Sequence, residues 1–302
     1  MNQAYAHRHR IRFADCDPAG IVYFPRFLEM VNDLTENWFG EGLGTDFHEF
    51  HIVQRYGVPV VNTRIEFLKA CRLMEPLELE LRVQSLGRSS AVLAIRGHVN
   101  GEDRLRLRHK VAMMSLDTYR ATPIPEGLRA RMQDFLVDPP VPATPDPVTH
   151  DGQVPACAFR APQPLRFAHC DPAGIGFYPR YFDLFNAVME DWFAQGLGCP
   201  WGTDFMGPRN LRIPALAITV EFQRASRMGE LLDFDLWVTR MGRSTLDLAL
   251  QVTVKGEPRL RVAWTVCMID FTTFKSTPIP EDLKQRIRNY MPTQSEGKGQ
   301  GG

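Results

Sequence analysis

The sequence predicts an α+β protein made of two copies of one domain, each a curved antiparallel sheet wrapped around a long buried helix. Three observations predict it. The stretch Cys-Asp-Pro-Ala-Gly-Ile occurs twice, at residues 16–21 and 170–175. A run of about fifteen residues with helical apolar spacing follows each occurrence. Four strand-like runs then follow each helix before the pattern restarts.

The repeat comes first, because a missed repeat misreads the whole fold. Residues 11–44 and 165–198 align without gaps, with 18 identities in 34 positions. With one residue inserted, the match continues. Val58-Pro59 answers Ile213-Pro214, Gly87-Arg88-Ser89 answers Gly242-Arg243-Ser244, and Thr122-Pro123-Ile124-Pro125 answers Thr277-Pro278-Ile279-Pro280. The expected organisation is domain 1 over residues 1–137, a Pro-rich extended linker over 138–164, domain 2 over 165–292, and a disordered tail over 293–302.

Within the first copy, residues 8–14 alternate and read as a strand. Residues 17–20 read as a turn, since Asp and Pro suit its opening and Gly its close. The helix is expected over 25–39. Its Pro25 stands in the first turn, where a missing N–H costs nothing, and Gly40 and Gly42 end it. The second helix is apolar nearly all round, the mark of a buried helix. Strands follow at 58–68, 77–86, 91–99 and 107–116, and a short helix at 125–135 closes the unit. A sheet with one apolar face must bury it, and the helix is what it has to bury it against.

Composition narrows the function. The chain has 302 residues, 44% hydrophobic and 23% charged, with 35 basic and 35 acidic side chains. A net charge of zero offers no basic field to recruit nucleic acid. No apolar run is long enough to span a bilayer. The N-terminal residues lack the apolar core of a signal peptide. Six scattered cysteines with no Cys-x-x-Cys pair make neither a disulfide scaffold nor a zinc site. No metal and no resident cofactor is expected, and a cytoplasmic location is.

The signature Phe-x-Asp/His-Cys-Asp-Pro-Ala-Gly-Ile at the helix entrance resembles that of the 4-hydroxybenzoyl-CoA thioesterase-like acyl-CoA thioesterases, which have the hotdog fold. The resemblance covers both copies. It implies an enzyme, a thioester hydrolase whose substrate is a small-molecule acyl-CoA. An aromatic acyl group is favoured by Tyr23-Phe24 and Phe177-Tyr178. Members of the family are usually single units that dimerise, so it also implies a dimer built into one chain with sites shared between the copies.

The resemblance carries residue roles with it. Asp17 and Asp171 become the catalytic carboxylates, acting as general base or as nucleophile. The backbone N–H groups of Phe24 and Tyr178, at the helix N-termini, become the oxyanion donors. Coenzyme A brings phosphates, which call for basic loop residues. The candidates recur in both copies: Arg88 with Ser89, Arg243 with Ser244, Lys69 with Arg72, and Arg224 with Arg227. Glu36 and Glu190, on the helices, read as helpers or as partners of a nearby Asn or Arg. Cys16 and Cys170 read as packing residues, because neighbours on extended backbone point to opposite faces. His169, in the place of Asp15, reads either as a group that tunes Asp171 or as an exposed strand residue, the second being favoured. Two other readings compete with the enzyme: a hotdog that binds acyl-CoA without cleaving it, and a hydratase or dehydratase. The latter normally uses a His–Asp or His–Glu pair, and no such pair recurs in both copies.

Overall fold

The computed structural model describes residues 3–137 and 150–293. The chain divides into two compact units, Met1–Asp146 and Pro147–Gly302. The expected tail beyond residue 293, and residues 138–149 of the expected linker, lie outside the described residues.

Unit 1 runs β1 (Tyr5–Arg10), α1 (Phe24–Asn37), β2 (Val60–Phe67), β3 (Pro76–Leu86), β4 (Ser90–Val99), β5 (Glu102–Ala112) and α2 (Glu126–Gln133). Its long strands are antiparallel, in the spatial order β1-β3-β4-β5-β2. The period-2 alternation of β3 sends Leu77, Leu79, Leu81 and Val83 to one face, and all four are fully buried. Phe27, Leu28, Val31 and Leu34 of α1 bury on the helical period. The helix thus lies where the sequence puts it.

Unit 2 repeats this: β6 (Phe159–Pro164), α3 (Tyr178–Asp191), β7 (Ala215–Phe222), β8 (Leu231–Met241), β9 (Thr245–Val254), β10 (Glu257–Cys267) and α4 (Glu281–Ile287). Its spatial order, β6-β8-β9-β10-β7, is that of unit 1. The apolar reading of α3 holds, with Tyr181, Phe182, Leu184, Phe185, Val188 and Met189 all buried.

Three boundaries differ from expectation. The first strand ends at Arg10, and Phe13–Asp15 forms a 3-10 turn instead. The winding of α1 continues past Gly40 as a widened turn over Trp38–Gly42, where the Leu43 N–H reaches the Trp38 carbonyl at 2.8 Å. The stretch read as linker contains a strand: β6 pairs with β8 over Phe159–Pro164. Pro162 and Pro164 are tolerated there because β6 is an edge strand and needs ladder donors on one side alone.

Candidate active site

Both Cys-Asp-Pro-Ala-Gly-Ile segments fold into the same closed turn. The Gly20 N–H donates to the Asp17 carbonyl at 2.9 Å, and the Asp17 N–H donates to Ile21 O at 2.9 Å. In unit 2 the same bonds join Gly174 to Asp171 and Asp171 to Ile175, at 2.9 and 3.0 Å. Proline is preset for the second position of such a turn. Gly20 and Gly174 both hold φ at +76°, a left-handed conformation that a β-carbon would strain. Each aspartate also caps its own turn. Asp17 Oδ1 accepts from the Ala19 N–H at 2.7 Å, and Asp171 Oδ1 accepts from Ala173 at 2.9 Å and from Ile175 at 3.4 Å.

These bonds fix a half-buried carboxylate in each unit. Burial raises the Asp171 carboxyl above the usual carboxylate range, and the N–H groups of Ile175 and Ala173 pull it partly back. Seven residues after each aspartate the chain enters a helix, α1 at Phe24 and α3 at Tyr178. The N–H groups of a helix's first turn have no acceptor within the helix. Phe24 lies edge-on to Phe67 of β2, with centroids 6.1 Å apart. In unit 2 a coordinated exchange alters the entrance: Gly176 and Tyr181 stand where unit 1 has Val22 and Phe27. A β-carbon on Gly176 would collide with the Tyr181 hydroxyl. The tyrosine therefore fills the place the valine side chain vacates, and burial pushes its phenol up to about 12.

A second tie holds each turn from behind. Asp15 Oδ2 accepts from the Arg12 N–H at 2.7 Å, and the Asp15 carbonyl accepts from the Tyr23 N–H at 2.9 Å. His169 does the same in unit 2: its Nδ1 accepts from the Arg166 N–H at 3.1 Å and its carbonyl from Phe177 at 2.9 Å. The reading of His169 as an exposed strand residue is thereby corrected, because it is a half-buried cap of a 3-10 turn. His9 lies 3.0 Å from Asp15. A His–Asp pair does exist in unit 1, but Gln163 and His169 replace it in unit 2.

Cys16 and Cys170 are half-buried rather than buried. Each thiol donates to the carbonyl four residues back, Arg12 or Arg166, at 3.6 Å. Burial and the neighbouring aspartate raise both thiols further from the thiolate. That is the opposite of what a nucleophilic cysteine needs.

The basic candidates separate into three groups. Arg72 and Arg227 belong to the turn itself: Ile21 bridges Arg72 and Ile175 bridges Arg227, backbone to backbone. Lys69 is tied to Glu102 at 2.5 Å, and Arg224 to Glu257 at 3.3 Å, both exposed pairs. Arg88 and Ser89 sit in the β3–β4 turn, held by their carbonyls to the N–H groups of Ile124 and Met113 at 3.0 and 2.8 Å. Arg243 and Ser244 are held alike to Ile279 and Met268 at 2.9 and 2.7 Å. The aspartate turn lies at the Pro76 end of β3 and Arg88 beyond the Leu86 end, about 30 Å along the strand. Within its own unit, then, the fold brings Asp17, Phe24 and Arg72 together and leaves Arg88 and Ser89 apart. Glu36 and Glu190 each accept from an asparagine one helical turn before, Asn32 and Asn186, at 2.6 Å. Among the described residues no cluster of His, Cys, Asp or Glu could hold a metal ion, and no helix is long and apolar enough to cross a membrane.

Comparison with known proteins gives the family. The family model of the thioesterase-like superfamily matches residues 11–132 and again 165–287. A 1,4-dihydroxy-2-naphthoyl-CoA hydrolase of Thermosynechococcus vestitus is 29% identical over 125 residues, 41% of this chain and 85% of the relative. A 4-hydroxybenzoyl-CoA thioesterase of a Pseudomonas species is 30% identical over 94 residues, 30% of this chain and 66% of the relative. Both relatives are CoA thioester hydrolases, the enzyme class that the signature implies. Among solved structures, the 12:0-ACP thioesterase of Umbellularia californica superimposes with a TM-score of 0.69 at 14% identity, over 88% of this chain and 94% of the other. An acyl-ACP thioesterase of Bacteroides thetaiotaomicron gives 0.66 at 13%, over 88% and 98%. At that identity the likeness is one of fold, and the fold is the hotdog. With 245 of its 302 residues matched in two successive segments, the chain belongs to the thioesterase-like superfamily and carries that domain twice.

Proposed function

We propose that the protein is an acyl-CoA thioesterase with two aspartate sites. The single observation that carries this reading is the twice-built turn, in which a half-buried Asp17 or Asp171 is fixed by backbone donors at the mouth of a helix opening at Phe24 or Tyr178. A thioester carbonyl set against those first-turn N–H groups gains stabilisation for the negative charge that develops on its oxygen. The adjacent carboxylate either takes a proton from an attacking water or attacks the carbonyl carbon itself, forming an anhydride that water then opens. On either route the C–S bond breaks, CoA departs through its sulfur and takes up a proton, and the free acid remains.

An aromatic acyl group is the favoured substrate. Two relatives act on hydroxylated aromatic acyl-CoA esters. Aromatic side chains also flank each entrance, with Tyr23 edge-on to Phe24 and Phe177 edge-on to Tyr178. The test is a panel of benzoyl-, 4-hydroxybenzoyl-, 1,4-dihydroxy-2-naphthoyl- and short-chain acyl-CoA esters, read by release of free thiol. Turnover of the aromatic esters above the aliphatic ones supports the reading, and no release from any ester overturns it.

A further inference from the structure

The two aspartate turns share their closing backbone bonds and differ in the side chain that ties them down. In unit 1 the acceptor for the Arg12 N–H is a carboxylate, Asp15, braced by His9 of β1. In unit 2 the acceptor for the Arg166 N–H is the imidazole of His169. No brace from the adjacent strand accompanies it: Gln163 stands at the place of His9 and donates to Asp191 at 2.9 Å.

A backbone N–H can only donate, so the Nδ1 that receives it is the unprotonated ring nitrogen. Protonation places a hydrogen on that nitrogen and turns the acceptor into a donor facing a donor. A carboxylate stays an acceptor at pH values where an imidazole takes up a proton. Acid therefore turns the tie of unit 2 against its donor and leaves the carboxylate of unit 1 an acceptor.

Residue 169 holds both ends of its loop, Arg166 through the ring and Phe177 through the carbonyl, and Asp171 follows two residues later. We propose that His169 is a positioning residue for the second site, and that the second aspartate turn loosens in acid while the first does not. The charged and titratable groups of the elements around it are these. Arg166, Cys170 and Asp171 share its turn, and β6 presents Gln163. In α3, Ala187 stands where unit 1 has Asp33, which feels His9, Glu29 and His7. Of the acids along α3, Asp183 is paired with Arg180 at 3.6 Å, Glu190 accepts from Asn186 at 2.6 Å, and Asp191 accepts from Gln163 at 2.9 Å. The loop that pairs with Leu165 and Ile175 brings Arg227 and Glu230, where Glu230 accepts from the Arg227 N–H at 2.9 Å.

The kinetic consequence rests on the thioesterase reading, but the structural one does not. Full-length protein is measured in two ways between pH 7.5 and 5.5. The first is amide hydrogen exchange of segments 166–177 and 12–23, corrected for intrinsic rates. Protection of each segment is taken relative to the core strands of its own unit, and on that scale that of 166–177 is expected to fall about fivefold more than that of 12–23, the weight of one ordinary hydrogen bond. His169→Asp should remove the difference, and Asp15→His should give the first turn the same acid response. Equal responses in both turns, or a response that survives His169→Asp, overturn the proposal. The second is the pH profile of 4-hydroxybenzoyl-CoA hydrolysis by Asp17→Asn, which leaves the second site, and by Asp171→Asn, which leaves the first. An earlier acid decline of kcat/KM in Asp17→Asn, reversed by adding His169→Asp, supports it. Coincident profiles, unmoved by the swap, overturn the positioning role. If neither enzyme turns over substrate at any pH, the functional reading falls, and the exchange data still decide the tie.

Discussion

The backbone of Ile21 bridges antiparallel to that of Arg72, and Ile175 bridges Arg227 in the same way. This puts one arginine of each unit on the strand-like segment that borders the aspartate turn. The guanidinium leaves from an exposed position, where the phosphates of a CoA ester would need a cation. Lys69, three residues earlier, forms an exposed pair with Glu102 at 2.5 Å. Arg72→Ala together with Arg227→Ala should raise KM for an acyl-CoA about 5–20-fold, the loss of one charge-assisted contact per site. KM for the same acyl group on N-acetylcysteamine, which has no phosphate, should move less than twofold. Lys69→Ala should leave both within twofold, because an exposed ion pair contributes little. Steady-state kinetics on the two thioesters check this.

The aspartates make a second prediction. The turns repeat with the same bonds to within a few tenths of an ångström, so both sites are expected to work at neutral pH. Asp17→Asn and Asp171→Asn should each leave about half the activity, since asparagine keeps the side-chain oxygen that caps the turn and loses only the base. The double variant should lose roughly 10²–10⁴-fold. A single variant that abolishes turnover would show that one unit serves as scaffold.

The aspartate turn and the helix behind it were legible because their grammar is local. Asp-Pro opens a turn, Gly closes it, and apolar spacing of 3.6 follows. The stretch between strand and turn was not. Ile11-Arg12-Phe13-Ala14-Asp15 alternates like a strand, yet Phe13 and Phe167 end up 86% and 83% exposed. The chain turns there because the side chain at position 15 or 169 caps its own backbone, and in unit 2 that cap is a histidine, which no simple capping rule nominates. Pro162 and Pro164 read as linker because a proline is excluded from a central strand; whether a strand is central or at the edge depends on the rest of the sheet. The Lys69–Glu102 pair spans 33 residues and forms through the β2–β5 register, so the partner of a lysine read as a phosphate ligand emerged only in three dimensions.

Acid should also act on unit 1 from within. His109 of β5 is buried opposite Leu93 and Thr63, and burial lowers its imidazole from 6.5 to about 3. The folded state binds this proton less readily than the unfolded chain. Its stability is therefore fully present above about 6.5 and is lost as pH falls through that value toward 3. One proton sets an upper slope of about 1.4 kcal/mol per pH unit in that window. His109→Leu should flatten the decline, since Trp264 of unit 2 shows that the equivalent position accepts an apolar side chain. Urea midpoints at pH 7 and 4.5 for both proteins test it, and equal declines would show that the histidine is not the group titrating.

Asp171 should behave in the reverse sense. Its carboxyl is raised by burial, so the folded state holds the proton more tightly than the unfolded chain does. Above the raised value the carboxylate is charged in both states, and its burial then costs stability. As pH falls through that value toward the ordinary 3.8, the cost disappears. Asp171→Asn removes the charge and keeps Oδ1 as acceptor for Ala173 and Ile175. The variant should therefore melt about 1–3 °C above the parent at pH 7, with the gap closing toward pH 4. The substitution expected to silence the second site should thus make the protein more stable, the pattern expected of a residue retained for chemistry rather than for folding. Scanning calorimetry of parent and variant across that range is the measurement. A variant that melts lower at pH 7 would mean instead that the carboxylate stabilises the turn.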